Sequence, residues 1–423
     1  MNSINKMTID LLSKHSLELN CNLMPFPKLN IKILIKSQPE NVLLDISCLL
    51  AKYKNQIENV ENHKIWDYCK KLTNDFEMIH INNRNNQIMN LGVANYDPIS
   101  RSYFKMWEMI KDFNLIDIDN KNINVFCLAE GPGGFVEAIC NYRKYYSENN
   151  NDNIKCMTLK PYKNDIPGWK KSFKIFNENS NIEIYYGIDG TGDLYKTDNL
   201  ENLERKMIND KCDLVTADGG FDFSIDYNKQ EELSYRLIIC QITAAIAILK
   251  KNGHFVIKIF DNFTKFTMKI IYFLTSLFNK VYIVKPFTSR PANSEKYIIC
   301  KYFIGIDKPN LEYLYRIIDD WEILEKQNKH VEDIFEFELP YNFTQTIKAY
   351  NIYIINRQIK NILKTLLYIR INLSNSNINL IKQNQAIISS LWCKKYDIPI
   401  NYRCKFLKDN IEHYNYIPNF INK

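Results

Sequence analysis

A lysine inside an apolar segment is the first residue of this sequence that points to chemistry. Lys258 lies within residues 253–260 (GHFVIKIF), a run otherwise suited to a buried β-strand. Burying an amine costs free energy unless the amine is paired with an acid or its pKa falls. A lysine that extends its charge to solvent from a strand end is the other interpretation, but a lysine within a strand is a poor choice for stability. We therefore predict that Lys258 is a functional amine.

Two acidic residues are expected close to this lysine. Asp218 directly follows the apolar run 212–217 (CDLVTA), and Glu295 lies in residues 289–295 (SRPANSE), which we name the polar loop. The carboxyl end of a strand faces the crevice where open sheets bind ligands, and Glu295 is placed to meet Lys258 near the sheet edge. A turn-forming Asp-Gly pair and an ordinary charged hairpin loop are the structural alternatives.

A glycine-rich segment follows the first strand of the predicted core. Residues 129–135 (AEGPGGF) come directly after the β-rich run 123–128 (INVFCL), and we name residues 129–134 the glycine turn. Glycines let a backbone approach a ligand closely, although a tight turn without a ligand has the same composition. The GxGxxG fingerprint of dinucleotide-binding proteins is absent, which disfavours a nicotinamide cofactor.

Strand-like and helix-like segments alternate through the middle of the chain. Continuous apolar strands that alternate with helices are typical of an α/β fold whose mostly parallel sheet is covered on both faces. The last two strands are predicted to form an antiparallel pair at one edge. The predicted strands are residues 123–128, 154–159, 182–186, 212–217, 253–260, 281–285 and 297–303, and the main helices between them are residues 135–146, 229–251 and 263–278.

The segments that flank this core have a different character. Beyond residue 308, apolar residues recur at helical spacing in residues 311–329 and 344–373. Three asparagine-rich tracts, residues 82–90, 149–153 and 374–379, are predicted loops. The first of these tracts is predicted to separate an N-terminal region from the core.

Composition sets broad limits on function. A content of 46% hydrophobic residues allows a full core in a chain of 423 residues, and no apolar run reaches the length of a membrane span. The eleven cysteines include no CxxC pair, so we expect neither a disulfide framework nor a metal site. A net charge of +7 permits a polyanionic partner without requiring one. These features predict a soluble intracellular protein.

Six segments together resemble the FtsJ-like ribose 2′-O-methyltransferases, and most closely the cap-specific, Adrift-type branch of that family. They occur in the family's order and cover about residues 97 to 305, and the segment SRPANSEKY is the most specific of them. The pattern ADGG followed by DYNKQEEL also resembles FtsJ-like proteins of large cytoplasmic DNA viruses. The six segments are residues 129–135 (AEGPGGF), 157–160 (MTLK), 190–193 (GTGD), 217–221 (ADGGF), 253–261 (GHFVIKIFD) and 285–297 (KPFTSRPANSEKY).

This resemblance implies a fold and a domain plan. The core would be a Rossmann-like S-adenosylmethionine-dependent methyltransferase, with a seven-stranded, mostly parallel sheet and an antiparallel edge strand. A mostly helical N-terminal extension would cover residues 1–90, the methyltransferase domain residues 91–308 and a helical C-terminal region residues 309–423. The protein would be cytoplasmic, in a viral factory or virion if the viral resemblance holds, and a nuclear location stays open.

The resemblance also implies roles for individual residues. The family's Lys-Asp-Lys-Glu tetrad falls on Lys105, Asp218, Lys258 and Glu295, with Lys111 as the other lysine near the first position. The family's RNA contacts would fall on Asn228 and Asn293, and we expect Arg290 to bind the substrate as well because its side chain is basic. Contacts to S-adenosyl-L-methionine would fall on Ala129, Glu130, Gly131, Pro132, Gly133, Gly134, Phe135, Asp193, Leu194 and Asp218.

The implied chemistry suits these residue types. The methyl group of a sulfonium is already activated, so the enzyme must position a ribose hydroxyl and help to remove its proton. Neutral Lys258 would be the base, because burial and the charge of Lys105 would lower its pKa. The carboxylates of Asp218 and Glu295 would hold both amines and oppose part of that lowering. No metal is required.

The substrate implied is RNA, most closely a cap-proximal nucleotide of mRNA. Binding is expected to be electrostatic in large part, through basic residues such as Arg290, Lys296, Lys394 and Lys395. Methylation of structured RNA such as rRNA is an alternative, but long flanking helical regions favour the cap branch. A catalytically inactive RNA-binding or scaffold subunit is another, and the presence of all four tetrad residue types argues against it.

Overall fold

The computed structural model describes residues 15–20, 26–34, 39–81, 92–147, 151–161, 167–220 and 228–407. The asparagine-rich tract 82–90, with the domain boundary expected there, and Phe221 of the ADGGF segment lie outside these ranges. The strands are β1 (Ser16–Leu19), β2 (Leu29–Ile33), β3 (Asn124–Leu128), β4 (Asn153–Met157), β5 (Ile182–Ile184), β6 (Cys212–Ala217), β7 (Leu249–Ile259), β8 (Phe278–Val284), β9 (Lys296–Phe303) and β10 (Val331–Phe335).

Twelve α-helices lie within the described residues. Helices α1 (Leu44–Glu58) and α2 (His63–Leu72) precede the core, and α10 (Lys308–Lys326), α11 (Tyr341–Ile371) and α12 (Asn375–Lys395) follow it. The helices of the core are α3 (Ser102–Phe113), α4 (Gly134–Tyr146), α5 (Phe173–Glu178), α6 (Thr197–Lys206), α7 (Gln230–Leu233), α8 (Tyr235–Ile248) and α9 (Lys265–Leu277). None of the described helices is both long enough and apolar enough to cross a bilayer.

Eight strands form the main sheet, in the order β1-β8-β9-β7-β6-β3-β4-β5. Strands β3 to β7 pair in parallel, whereas β9 lies antiparallel between β7 and β8. The predicted Rossmann-like α/β fold with seven core strands is therefore confirmed. The antiparallel strand β9 lies inside the sheet because it pairs with both β7 and β8, and the N-terminal β1, which pairs with β8, forms the edge.

The extensions pack on the core and on each other. Strand β2 of the N-terminal region pairs antiparallel with β10 of the C-terminal region, and α11 packs against both α1 and α2. The loop predicted at residues 374–379 is wrong. Ser374 caps α12 by accepting a hydrogen bond from the backbone N–H of Asn377 at 3.3 Å, and the tract forms the first turns of that helix.

Apolar side chains cover both faces of the sheet, as strand alternation requires. Phe255 and Ile257 of β7 belong to one buried cluster, and Val256 belongs to the other. Lys258 shares the face of Val256, as predicted, but it is the last but one residue of β7 and lies where that strand leaves the sheet. The sheet thus delivers a lysine to the carboxyl end of a central strand.

Candidate active site at the carboxyl ends of the central strands

The glycine turn connects β3 to α4 and is tightly packed by its own domain. Gly133 has φ +107°, a left-handed conformation that glycine adopts without strain. Its N–H donates to the carbonyl of Glu130 at 2.6 Å. A Cβ atom on Gly133 would overlap the hydroxyl of Ser172. The space beside this glycine is therefore taken by the chain itself, and glycine is needed there whether or not a ligand binds.

Lys258 is paired with Asp218 across neighbouring strand ends. Its amine donates to the main-chain carbonyl of Asp218 at 2.6 Å and lies 3.3 Å from the carboxylate oxygen Oδ1. The hydroxyl of Tyr297 donates to the same Oδ1 at 2.9 Å. Tyr297 lies opposite Lys258 in the pairing of β7 with β9. This tyrosine was not predicted as a site residue, although it ends the segment SRPANSEKY.

Lys105 is paired with Glu295, so the structure brings all four predicted tetrad residues together as two ion pairs. The amine of Lys105 on α3 lies 2.7 Å from Oε1 of Glu295, which also accepts a hydrogen bond from Ser289 at 3.0 Å. Lys111 lies further along α3 and binds Asp397 and Tyr146. Lys105 is therefore the lysine of α3 that belongs to this site.

The pKa of Lys258 does not follow the prediction. Burial alone would lower it, but the negative charges of Asp218 and Glu295 and the hydrogen bond to Asp218 outweigh burial, and the pKa is raised. The prediction of a lowered pKa is wrong because it gave the carboxylates too little weight. For Glu295 burial acts to raise the pKa, but the charges of Lys105 and Lys258 lower it to about 2.

A third carboxyl group lies beside the two ion pairs. The side chain of Glu130 is buried and accepts a hydrogen bond from Thr216 at 2.9 Å. Burial, and then the charge of Asp218, raise the pKa of Glu130 well above its ordinary value. The raised pKa favours the uncharged form of Glu130 in the free site, and a bound cation would favour its ionisation.

The other predicted cofactor residues lie around the same strand ends. Phe135 and Leu194 are both buried in the core. Asp193 lies in a loop fastened to the end of β4 through a 2.7 Å hydrogen bond from the Lys160 N–H to the carbonyl of Thr191. Gly134 packs against the hydroxyls of Ser100 and Ser102.

Trp169 is a neighbour of the glycine turn that the sequence analysis missed. Its indole is buried, and the ring lies 3.6 Å from the position that a Cβ atom would take on Gly133. Its ring N–H is buried and lacks a hydrogen-bond partner among the described residues. A buried donor of this kind favours a missing acceptor at the site.

The polar loop is held by residues from far outside the core. Lys54 of α1 donates to the hydroxyl of Ser294 at 3.0 Å and forms an ion pair with Asp261 at 3.0 Å. Gln358 of α11 donates to the carbonyl of Ala292 at 3.0 Å. None of these three contacts was predicted from the sequence, because each joins residues more than sixty positions apart.

The core also holds this loop from beneath. The amine of Lys285 donates to the carbonyls of Asn293 and Glu295 at 2.6 and 2.7 Å. Burial lowers the pKa of Lys285 to about 7. Glu108 of α3 accepts hydrogen bonds from the N–H groups of Phe287 and Thr288 just before the loop.

The predicted RNA contacts have different environments. Arg290 forms a two-point ion pair with Glu77, at 3.0 and 2.8 Å, so a phosphate would compete with that pair. Asn228 donates to the side chain of Asn55 at 3.2 Å, and Asn293 is exposed. The expected phosphate contact at Lys296 is wrong, since its amine is buried and donates to main-chain carbonyls.

One group of potential metal ligands lies within the described residues, beneath the start of the polar loop. His15, Glu108 and Asp112 place ligand atoms within 4.8 Å of one another. The Glu108 oxygens already accept backbone N–H groups, and Asp112 binds the hydroxyl of Tyr396 and the amine of Lys395. A cation would have to displace Lys395, which does not favour a metal at this position.

Comparison with known proteins agrees with this geometry. The family model described as FtsJ-like methyltransferase matches residues 98–303. The chain is 38% identical over 200 residues to the "Cap-specific mRNA (nucleoside-2'-O-)-methyltransferase 1" of Mus musculus. The matched region covers 45% of this chain and 22% of the relative. A protein of the same name from Trypanosoma brucei brucei is 44% identical over 132 residues, 31% of this chain and 36% of the relative.

These relatives are matched over only part of their length, about a fifth for the mouse protein. A solved Plasmodium falciparum structure described as a ribosomal RNA methyltransferase covers 49% of this chain and 99% of its own. Its sequence identity is 18% and its TM-score 0.35, a likeness too weak to support an argument.

Proposed function

We propose that this chain transfers a methyl group from S-adenosylmethionine to a ribose 2′-hydroxyl of RNA, at a cap-proximal nucleotide of mRNA. The match of residues 98–303 to the FtsJ-like methyltransferase family model supports this reaction. The observation that carries the proposal is the pair of ion pairs, Lys105 with Glu295 and Lys258 with Asp218, at the carboxyl ends of the central strands. The relatives named as cap-specific enzymes support the choice of substrate.

In this proposal Lys258 is the base. The ribose oxygen forms its bond to the methyl carbon as the sulfur–carbon bond breaks, and the hydroxyl proton passes to the amine of Lys258. Lys105, held by Glu295, contributes positive charge near the oxygen as it becomes negative. Asp218, itself held by Tyr297, fixes the Lys258 amine in place.

The raised pKa of Lys258 sets a condition on this mechanism. The amine holds its proton in the free site, so it must lose that proton before it can act as a base. S-adenosylmethionine supplies an activated methyl group on a sulfonium cation. A positive charge near Asp218 favours the neutral amine, because it weakens the attraction that raises the pKa of Lys258.

The residues around the glycine turn fit such a cofactor. A bound cation would favour ionisation of the buried Glu130, and the buried ring N–H of Trp169 lacks a partner within the part of the chain that the structure describes. The proposed contacts are the glycine-turn residues with Phe135, the pair Asp193 and Leu194, and Asp218. Asn228, Arg290 and Asn293 are proposed for RNA, with Arg290 acting once its pair with Glu77 opens.

We also propose three units in this chain. They are an N-terminal extension of residues 1–90, a methyltransferase domain of residues 91–308 and a C-terminal region of residues 309–423. The match to residues 98–303 supports the central unit. The strand pair β2–β10 and the contacts of α11 with α1 and α2 support two extensions that pack against each other.

The decisive experiment follows the methyl group. Radiolabelled S-adenosylmethionine is incubated with the protein and matched capped and uncapped RNAs, and the labelled nucleotide is mapped. Label on a cap-proximal ribose of capped RNA alone is expected. Equal label on uncapped structured RNA would favour the rRNA type of substrate, and RNA binding without label would favour a non-catalytic subunit.

A further inference from the structure

The C-terminal helices carry the positive charge of this chain. Between residues 341 and 396 the sequence has eight lysines and arginines and no aspartate or glutamate. The chain as a whole has 55 basic and 48 acidic side chains, so the remainder has 47 basic and 48 acidic ones and is nearly neutral. The net charge of +7 therefore resides in the segment that forms α11 and α12.

Part of this charge lies along one face of α11. Arg357, Lys360 and Lys364 follow one another at spacings of three and four residues, which places them on the same face of a helix. Tyr353 lies 5.8 Å from the guanidinium of Arg357, measured to the ring centre. Tyr368 lies 5.6 Å from the amine of Lys364. We name these five residues the basic stripe.

The cations of this stripe are only weakly neutralised. Among the residues that the structure describes, none of the three forms a salt bridge within 4 Å. Asp75 is the acid whose pKa their charges act upon, lowering it against the larger effect of burial, which raises it. One acid opposes three cations, so the surface keeps a net positive charge.

The stripe begins beside the polar loop, whose Glu295 belongs to the proposed active site. Arg357 lines a cleft together with Ser289 and Pro291 of the polar loop. The next residue, Gln358, holds the carbonyl of Ala292. From Tyr353 to Tyr368 the stripe is roughly 22 Å long, at about 1.5 Å per helical residue. A strand that leaves the polar loop along α11 would thus meet cations and aromatic rings in turn.

We infer that the basic stripe binds the RNA chain that extends from the methylated nucleotide. The stripe binds phosphates through its three cations and stacks bases on its two tyrosines, a combination that binds single strands without regard to sequence. This inference rests on the proposed function and adds to it a surface outside the methyltransferase domain. The cations of the stripe would supply the phosphate contacts that the buried Lys296 cannot make.

The test compares RNAs of two lengths. The triple variant Arg357→Gln, Lys360→Gln and Lys364→Gln is measured for binding to fluorescent capped RNAs of about 4 and about 20 nucleotides. Affinity for the longer RNA should fall roughly 10- to 100-fold at about 0.15 M salt, since each cation that binds a phosphate releases counterions. The slope of log affinity against log salt should become smaller by about 2.

A second triple variant provides the matched control. Lys174→Gln, Lys308→Gln and Lys326→Gln remove the same charge from side chains that are 83%, 77% and 71% exposed and lie away from the stripe. This variant should bind both RNAs nearly as well as the original protein. Thermal unfolding of both variants checks that each remains folded.

The outcomes separate this inference from the proposed function. Methyl transfer to the short RNA should persist in the stripe variant. Unchanged affinity and salt slope for the long RNA would overturn the stripe and leave the methyltransferase proposal intact. If the stripe variant loses binding to polyglutamate but keeps its RNA binding, the stripe binds an acidic protein, and the inference that it binds RNA is overturned. A native protein that methylates no capped RNA but binds long RNA through the stripe would refute the function alone.

Discussion

The glycine turn and the polar loop serve one site but are held in different ways. The glycine turn packs against Thr158 and Ser172, residues of the same domain. The polar loop binds Lys54, Glu77 and Gln358, which come from the two extensions. The glycine turn, on the proposed cofactor side, is therefore held by residues of its own domain. The polar loop, on the proposed substrate side, is also held by residues from the two extensions.

The largest expected effect is at Lys258, which joins the two sides. Lys258→Ala should lower methyl transfer by roughly 100-fold or more, the usual contribution of a general base. Binding of cofactor and of RNA should change little, and both are measured by calorimetry beside the rate. An Ala variant with normal activity would remove Lys258 from the mechanism.

The pH profile and an arginine variant sharpen this result. Since the pKa of Lys258 is raised, the amine is charged at neutral pH in the free site, and the rate should rise as pH increases and the amine loses its proton. Lys258→Arg should fail nearly as badly as Lys258→Ala, because a guanidinium keeps its proton. Full activity of the Arg variant would show that positive charge, and not proton removal, is what the site needs.

A change in the glycine turn should affect the cofactor alone. Gly133→Ala places a side chain at φ +107° and into the hydroxyl of Ser172. Left-handed backbone costs about 1–2 kcal/mol for a residue with a Cβ atom, so the turn should move away from its present conformation. We expect affinity for S-adenosylmethionine to fall about 10-fold or more, because the moved backbone no longer fits the ligand. RNA affinity should be unchanged.

A second substitution separates overlap from backbone strain. Adding Ser172→Gly to Gly133→Ala removes the overlapping hydroxyl but leaves the unfavourable φ, so cofactor affinity should recover in part. Equal losses of cofactor and RNA affinity in Gly133→Ala would break the comparison between the two sides.

A change in the N-terminal extension should affect the substrate side alone. Lys54→Met keeps the apolar stem and removes the amine that binds Asp261 and Ser294. Lys296 remains 3.7 Å from Asp261 and continues to balance its charge. We expect the KM for RNA to rise about 10-fold. That change corresponds to about 1.4 kcal/mol, which is close to the lower end of the roughly 1.5–3 kcal/mol contributed by a hydrogen bond to a charged group.

The control for this change is on the same helix. Lys52→Met removes an exposed lysine of α1 and should leave both KM values unchanged. Thermal unfolding of the two variants reports any general loss of stability. A rise in the KM for S-adenosylmethionine equal to that for RNA would show that Lys54 supports the whole domain and not the polar loop.

The smallest expected effect is at Glu130. This carboxyl group holds its proton in the free site because its pKa is raised, and a bound cation favours the ionised form. Affinity for S-adenosylmethionine should therefore increase as pH rises, whereas S-adenosylhomocysteine, which lacks the sulfonium charge, should show less change. Calorimetry of both ligands across pH checks this, and Glu130→Gln should reduce the pH dependence by a few-fold. An unaltered dependence would place the charge coupling elsewhere.

The strands of the central sheet and one side of the site could be predicted from the amino-acid sequence. Strand runs, the glycine turn, Asp218 and Lys258 are short-range patterns, because the period of a strand and the residues at its end are adjacent in the chain. The resemblance placed Lys105 and Glu295, and the structure joins them in an ion pair. A few local expectations were wrong, as at residues 374–379, where a serine cap starts a helix in a tract that has the composition of a loop.

The contacts that hold the polar loop and the direction of the Lys258 pKa shift depend on tertiary packing and could not be predicted from the sequence. Lys54 and Gln358 reach that loop across 240 and 66 positions of the chain, distances at which no sequence pattern predicts a contact. The raised pKa of Lys258 depends on how many carboxylates converge on one buried amine. Coulomb energy depends on separation in space and on local burial, and both of these are set only when distant segments pack together.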